Sequence, residues 1–206
     1  IGFLMWGLVD LMNGKYIYFI IAVLIGALFH VTVMVMIAIP LLYKGQGKIV
    51  ILLASPLLYL IYLNYQFQIN FMIYHYITTE IHHSSGSIAR LFVGFVSAAL
   101  FFLYQKKMRK KYNDWQLWLV FSIINAVLFP ASFFYSTVID RFSIYFIPLQ
   151  MIVLSRVPGL ILSRYNRTIF ILFIIFFYFF MLTIWLFFGK NSHAWIPYQN
   201  FLTSII

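Results

Sequence analysis

The sequence predicts an all-α fold: a polytopic α-helical membrane protein with about six full transmembrane helices and a partial one at its N-terminus. Hydrophobic residues make up 64% of the 206 and charged residues only 9%, whereas a soluble domain is about 45–50% apolar and about 25% charged. The mean hydropathy is +0.97. The apolar runs are long and continuous, which indicates helices rather than the short alternating strands of a membrane barrel.

The helices are predicted from the apolar runs, because a membrane-spanning helix needs about 20 predominantly apolar residues. In chain order the runs are residues 1–12, which form the partial helix, and then 16–42, 49–66, 87–104, 115–136, 142–162 and 168–189. Short polar stretches separate them. The chain opens on Ile1 within an apolar run, so we expect residues 1–206 to be a single transmembrane domain and the C-terminal portion of a longer protein.

One segment between the predicted spans mixes aromatic and polar residues. It covers residues 67–86, with the sequence FQINFMIYHYITTEIHHSSG. Its apolar part is too short to cross a membrane. We therefore expect an outer-face loop or a re-entrant segment.

The basic residues predict the orientation of the helices. We attribute the net charge of +10 to an excess of Lys and Arg in cytoplasmic loops and do not take it to indicate binding of nucleic acid. If the basic stretch at 106–111 is cytoplasmic, the alternation of the spans places ten basic residues at or near that face: Lys44, Lys48, Lys106, Lys107, Arg109, Lys110, Lys111, Arg156, Arg164 and Arg167. The other face receives four: Lys15, Arg90, Arg141 and Lys190.

The same alternation collects the titratable groups on the outer face. Asp140 and Glu80 lie there, as do four of the five histidines, whereas the inner loops hold Asp114 and no histidine. In the stretch TTEIHHSSGSIAR, Glu80 is followed within one helical turn by His82 and His83. A carboxylate and imidazoles placed together can accept a proton, so Glu80, His82, His83 and Asp140 are the candidate catalytic residues. An alternative is that the histidines simply occupy a headgroup boundary.

Two arginines of the outer face are candidates for binding an anion. A guanidinium stays charged and can bind phosphate oxygens through two hydrogen bonds. Arg90 begins one predicted span, and Arg141 follows Asp140 in the polar stretch TVIDR at 137–141. The alternatives are that Arg90 reaches to the membrane surface and that Asp140 and Arg141 neutralise one another at an interface.

Three further residues are candidates for lining a substrate cavity. His30 lies deep within the predicted span 16–42, and an ionisable residue at that depth is a functional hypothesis by default. A neutral histidine bonded to a neighbouring helix is the alternative. Tyr145 and His193 complete the set. We expect no cofactor and no metal site, because adjacent histidines point in different directions on a helix and the chain has no cysteine.

Four stretches in this order resemble the EpsG-type polymerases, a family within the Wzy-like O-antigen and exopolysaccharide polymerases of bacteria. They are LFHVTVMVM, SGSIARLFVGFVSAALFFLYQKKM, DRFSIYFIPLQMIVLSR and WIPYQNFL. The resemblance runs over nearly all of the chain. Members of the family are usually longer and carry further spans before the part that is seen here.

The resemblance implies an inverting, metal-independent glycosyl transfer at the outer side of the bacterial inner membrane. A glycan on undecaprenyl pyrophosphate would be transferred to a second lipid-linked repeat unit, giving O-antigen or exopolysaccharide. Arg90 and Arg141 would hold the pyrophosphate. The partners implied are the lipid-linked glycan, the lipid bilayer, a chain-length regulator and a flippase. The alternatives are a flippase or transporter of lipid-linked oligosaccharides, an assembly subunit, and an acyltransferase of surface glycans.

Overall fold

The computed structural model describes residues 1–43 and 87–189 together with positions 55, 56, 59, 63, 66, 67, 70, 74 and 192. Within these residues there are helices and turns and no strand, which confirms the all-α prediction. The α-helices are α1 Gly2–Met12, α2 Tyr16–Phe29, α3 Ile39–Leu42, α4 Ser87–Lys111, α5 Trp115–Ala131, α6 Ser136–Ser143, α7 Ile147–Arg156 and α8 Arg164–Phe188. Three 3₁₀ segments lie between them: Val31–Ala38, Ile144–Phe146 and Val157–Leu160.

Three of the described helices are long and apolar enough, by length and composition, to cross a membrane. They are Ile88–Lys111, Ser136–Leu160 and Arg164–Phe188. They correspond to the predicted spans 87–104, 142–162 and 168–189. Four shorter apolar helices accompany them: Gly2–Met12, Tyr16–Phe29, Val31–Leu42 and Trp115–Ala131. Most of the predicted span 49–66 lies outside the described residues, as does most of the segment 67–86.

The predicted span 16–42 is not one helix. The helix α2 ends at Phe29, and His30 has an extended backbone, with φ −154° and ψ 104°. The chain then bends, since the methyl group of Val33 comes within 3.5 Å of the point where a Cβ on Gly26 would lie. No glycine or proline stands at the break, so the sequence carried no local signal for it.

The chain divides into two compact units, Ile1–Val157 and Pro158–Ile206. The first unit opens on a hairpin of α1 and α2. Gly14 in its turn has a φ of +76°, which glycine adopts without the penalty that a side chain brings. Gly7 lets the two helices approach closely, because a Cβ there would lie 3.1 Å from that of Ala22.

The rest of the first unit is built around α4, which packs against α5, α6 and α7. Aromatic rings fill the space between these helices. Phe121 contacts Trp118 edge-on at 5.4 Å between ring centroids and Phe146 at 5.2 Å. These contacts pack α5 against the 3₁₀ segment Ile144–Phe146, where edge-on ring pairs add to the stabilisation that burial gives.

The described part of the second unit is dominated by α8. Its N-cap Ser163 accepts a hydrogen bond from the backbone N–H of Asn166, at 3.4 Å. None of the residues of α8 is buried, and its apolar side chains cover the whole circumference. This agrees with the surface of a helix that faces lipid.

Candidate functional site

Arg90 and Asp140 form a two-point ion pair where α4 and α6 begin. Arg90 Nε donates to Asp140 Oδ1 at 3.0 Å, and Nη2 donates to Oδ2 at 2.6 Å. The Asp140 side chain is only 10% exposed, whereas that of Arg90 is 52% exposed. The carboxylate is therefore enclosed in the protein, while the guanidinium reaches the surface. The two hydrogen bonds to Asp140 hold that guanidinium at a defined position.

This pairing revises the prediction for the polar stretch 137–141. The helix begins at Ser136 and the span continues to Leu160, so Asp140 lies within the helix rather than in a loop. Its partner is Arg90, fifty residues earlier, and not its neighbour Arg141. The predicted self-neutralising Asp140–Arg141 pair is wrong, because adjacent side chains on a helix point in different directions.

Arg141 is exposed and follows Asp140 in α6. In the part of the chain that the structure describes, Arg141 forms no ion pair, and the carboxylate of Asp140 is bound by Arg90. The first turns of α4 and α6 therefore carry two guanidinium groups, Arg90 and Arg141, and one enclosed carboxylate. The net charge of this cluster is +1, which suits an anionic ligand.

A second polar cluster joins His30, Thr32 and Tyr145. Thr32 Oγ1 lies 2.7 Å from His30 Nδ1 and is hydrogen-bonded to the hydroxyl of Tyr145. The Tyr145 hydroxyl lies 3.1 Å from the same nitrogen, and the two rings meet edge-on at 6.5 Å. His30 is exposed and Tyr145 is 5% exposed. The structure thus brings together two of the three predicted cavity residues, His30 and Tyr145.

The two clusters are close along the same helical run. Tyr145 follows Asp140 by five residues within the span Ser136–Leu160. Five residues correspond to about 8 Å along the axis, at about 1.5 Å per α-helical residue. The His30 cluster therefore lies about one and a half helical turns along this run from the ion pair.

A third cluster lies at the other end of α4. Arg156 donates to both oxygens of Asp114 at 2.7 Å, and the indole N–H of Trp118 donates to Oδ2 at 2.7 Å. The guanidinium of Arg156 also stacks on Tyr112, 4.2 Å from its ring centroid. Burial opposes ionisation of Asp114, but the hydrogen bonds from Arg156 and Trp118 outweigh it and hold the pKa of the carboxyl below its ordinary value.

The first and third clusters mark opposite ends of the first unit. Arg90 and Lys111 stand near the two ends of α4, about 32 Å apart at 1.5 Å per residue. A bilayer's hydrocarbon core is about 30 Å thick. The basic stretch 106–111 is therefore separated from Arg90 and Asp140 by about one membrane thickness.

Other predicted site residues lie outside the described part of the chain. These are Glu80, His82, His83 and His193. Within the described residues, no group of three or more His, Cys, Asp or Glu side chains could hold a metal ion. Thr32 is the one member of the second cluster that sequence reasoning missed. The signal available was its position two residues after His30 in LFHVTVMVM.

The fold and the charged helix ends define a helical membrane protein. The family model described as "EpsG family" matches residues 1–200. The chain belongs to the EpsG family, as the four sequence stretches predicted. This membership indicates a membrane protein of polysaccharide biosynthesis. Comparisons with curated proteins and with solved structures gave no match.

Proposed function

We propose that the protein is a membrane glycosyltransferase that polymerises undecaprenyl-pyrophosphate-linked oligosaccharide repeat units. The product is O-antigen or exopolysaccharide, formed at the outer face of the bacterial inner membrane. Membership of the EpsG family supports the polysaccharide assignment. The observation that carries the chemistry is the Arg90–Asp140 pair with Arg141 beside it, because these groups present positive charge where a lipid pyrophosphate would lie.

Arg90 and Arg141 bind the pyrophosphate in this proposal. The anomeric carbon of the donor sugar carries the pyrophosphate as its leaving group, and negative charge grows on the leaving oxygen as the bond breaks. Guanidinium groups held near that oxygen stabilise the charge. Both oxygens of Asp140 accept hydrogen bonds from Arg90. This supports Asp140 as the residue that orients Arg90.

The acceptor is the distal sugar of a second lipid-linked repeat unit. Its hydroxyl must lose a proton as it attacks the donor carbon, so a general base is required. The sequence offers Glu80, His82 and His83 as candidates for that role. The reaction inverts the configuration of the donor carbon and uses no metal, so the charge of the leaving group is balanced by the arginines.

The location proposed is a multi-pass protein in the inner membrane, with about six full spans and the Arg90–Asp140 end towards the periplasm or exterior. The excess of basic residues at the Lys111 end of α4 supports this orientation. The lipid bilayer supplies both substrates to this end. A flippase that delivers lipid-linked units and a chain-length regulator are the proposed protein partners.

The alternative function is a flippase or transporter of lipid-linked oligosaccharides. The break in the helical chain at His30 favours it, since discontinuous helices often line the substrate sites of transporters. Crowding of Arg90, Asp140 and Arg141 at one end favours the polymerase instead. A transporter needs charged groups that are reachable along the whole depth of its path.

Deletion of the full-length gene in its host separates the two functions. Gel analysis of the surface glycan is expected to show loss of the ladder of chain lengths, with single repeat units still attached to their carrier. Complete absence of even single units would indicate the flippase. An unchanged ladder would contradict both.

A further inference from the structure

The His30–Thr32–Tyr145 cluster has the form of a proton-accepting site, and the reaction above leaves it without a role. Its three polar side chains are bonded to one another within a chain that is 64% hydrophobic. His30 forms the break after α2, and Thr32 lies in the first turn of the 3₁₀ segment Val31–Ala38. Non-helical backbone in a membrane region is tolerated where it lines a polar cavity or is enclosed in protein. The exposed ring of His30 fits the first of these cases.

We propose that His30 is the general base that activates the acceptor sugar hydroxyl, and that Thr32 and Tyr145 are its positioning residues. This inference rests on the glycosyl transfer proposed above. The ligand of the site is the hydroxyl-bearing face of the acceptor sugar. The Arg90–Asp140 end takes the donor's pyrophosphate.

The hydrogen bonds select which ring nitrogen acts. Nδ1 is engaged by Thr32 Oγ1 at 2.7 Å and by the Tyr145 hydroxyl at 3.1 Å. In the tautomer assigned here, Nδ1 carries the hydrogen and donates it to Thr32 Oγ1. The lone pair of Nε2 is then left on the opposite edge of an exposed ring, where a substrate hydroxyl can reach it.

The spacing of the two clusters suits an inverting reaction. Attack and departure occur on opposite faces of the donor carbon, so the base and the leaving-group site must stand apart. Asp140 and Tyr145 anchor the two clusters and stand five residues apart in the span Ser136–Leu160, about 8 Å along the helix axis, so the two sites are separate.

The acceptor hydroxyl gives its proton to Nε2 of His30, and its oxygen forms a bond to the donor's anomeric carbon. The bond between that carbon and the pyrophosphate oxygen breaks, and its electron pair stays on the pyrophosphate beside Arg90. The imidazolium then releases the proton to water or to the departing pyrophosphate, which restores neutral His30.

Membranes that contain the full-length protein provide the test, with lipid-linked repeat units extracted from the gene-deletion strain as substrate. The measurement is the initial rate of lipid pyrophosphate release at equal protein amounts. A general base contributes about 10²–10⁴-fold, so His30→Ala is expected to lower the rate by about 100-fold or more. Added imidazole should restore part of the rate, because it fits the space left by the side chain.

His30→Gln is the matched control, and it also serves if His30→Ala does not accumulate. It should be as slow as His30→Ala but insensitive to imidazole, because its side chain fills the space. Thr32→Val should be slow and Thr32→Ser close to wild type, because the Thr32 hydroxyl is hydrogen-bonded to Nδ1 and serine keeps a hydroxyl where valine has none. If Thr32 contributed only packing, Thr32→Val would keep a nearly normal rate, because valine has the shape of threonine.

The results separate the inference from the function on which it rests. If wild-type membranes release no pyrophosphate, the glycosyl transfer itself is wrong. If the wild type is active and His30→Ala or His30→Gln stays within about threefold of it, His30 is not the base. A loss in His30→Ala that imidazole leaves unchanged would also overturn the proposal.

Discussion

Arg156 donates one 2.7 Å hydrogen bond to each carboxylate oxygen of Asp114, which stands 42 residues earlier in the chain. The pair joins the end of α7 to the turn between α4 and α5. The side chains are 21% and 15% exposed. It therefore ties the far end of the run Ser136–Leu160, which also carries Asp140, to the far end of α4, which carries Arg90.

The Asp114–Arg156 pair predicts a loss of stability in acid. The pKa of the Asp114 carboxyl in the folded protein lies below its ordinary value of 3.8. Its contribution to the free energy of unfolding is therefore fully present above that value and is lost as the pH falls through the folded-state pKa. Asp114→Asn should destabilise the full chain in detergent by about 1–3 kcal/mol at neutral pH. In thermal unfolding, the difference from wild type should shrink as the pH falls below about 3.8.

Asp10→Asn is the control for this measurement. Asp10 forms no ion pair with any residue that the structure describes, so the substitution should leave the pH dependence unchanged. Equal effects of Asp10→Asn and Asp114→Asn would contradict the role given to Arg156.

Gly94 and Gly26 predict opposite effects of the same substitution. A Cβ on Gly94 would collide with the side-chain oxygen of Asn125. Asn125 is 3% exposed, and its side-chain Nδ2 donates a hydrogen bond to the carbonyl of Phe121 at 2.9 Å. Gly94→Ala should therefore lower the free energy of unfolding by about 1–3 kcal/mol. A Cβ on Gly26 would meet its nearest atom at 3.5 Å, an ordinary contact.

Gly26→Ala should then stabilise the chain by about 0.5–1 kcal/mol, because alanine loses less backbone entropy in a helix than glycine does. Thermal unfolding of both full-length variants in detergent gives the sign of each effect. Destabilisation by both, to the same extent, would mean that the close approach of α4 and α5 at Gly94 carries no special cost.

The helix ends predict which positions share a compartment. The chain has no cysteine, so single cysteines can be placed without background. Ser136→Cys, at the start of α6, should react with a membrane-impermeant maleimide in cells whose outer membrane has been removed and whose inner membrane is intact. Lys111→Cys, at the other end of α4, should react only after permeabilisation. His83→Cys is expected to behave like Ser136→Cys, and reaction from opposite sides would remove the common outer site.

The sequence predicted the fold class and the grouping of Arg90 with Asp140, because composition and the distribution of basic residues are properties of whole segments. It did not predict their direct contact. A pair of residues fifty positions apart is set by how α4 and α6 pack, and no local pattern records that. The apparent partner, Arg141, was adjacent only in sequence.

The break at His30 was missed for a similar reason. Residues 16–42 are predominantly apolar and contain no proline before Pro40, so the pattern favours one long helix. The observed bend places Thr32 beside Tyr145, and that contact belongs to tertiary structure.

Substitutions of Arg90 and Arg141 test whether these side chains bind substrate or only stabilise the fold. Arg90→Ala should abolish the glycan ladder, as should Arg141→Ala, while both proteins still accumulate. Arg90→Lys should also be defective, because a lysine cannot make the two parallel hydrogen bonds that Arg90 makes to Asp140.

The informative variant combines Arg90→Asp with Asp140→Arg. It restores an ion pair between α4 and α6, so the amount of protein in the membrane should recover relative to either single substitution. The ladder should stay absent, because the guanidinium now extends from the enclosed side, where Asp140 is 10% exposed, rather than from the exposed position of Arg90. Immunoblots and glycan gels on the same cells measure both quantities. A ladder restored by the swap would show that the pair serves the fold alone, and the pyrophosphate would then need another binding group.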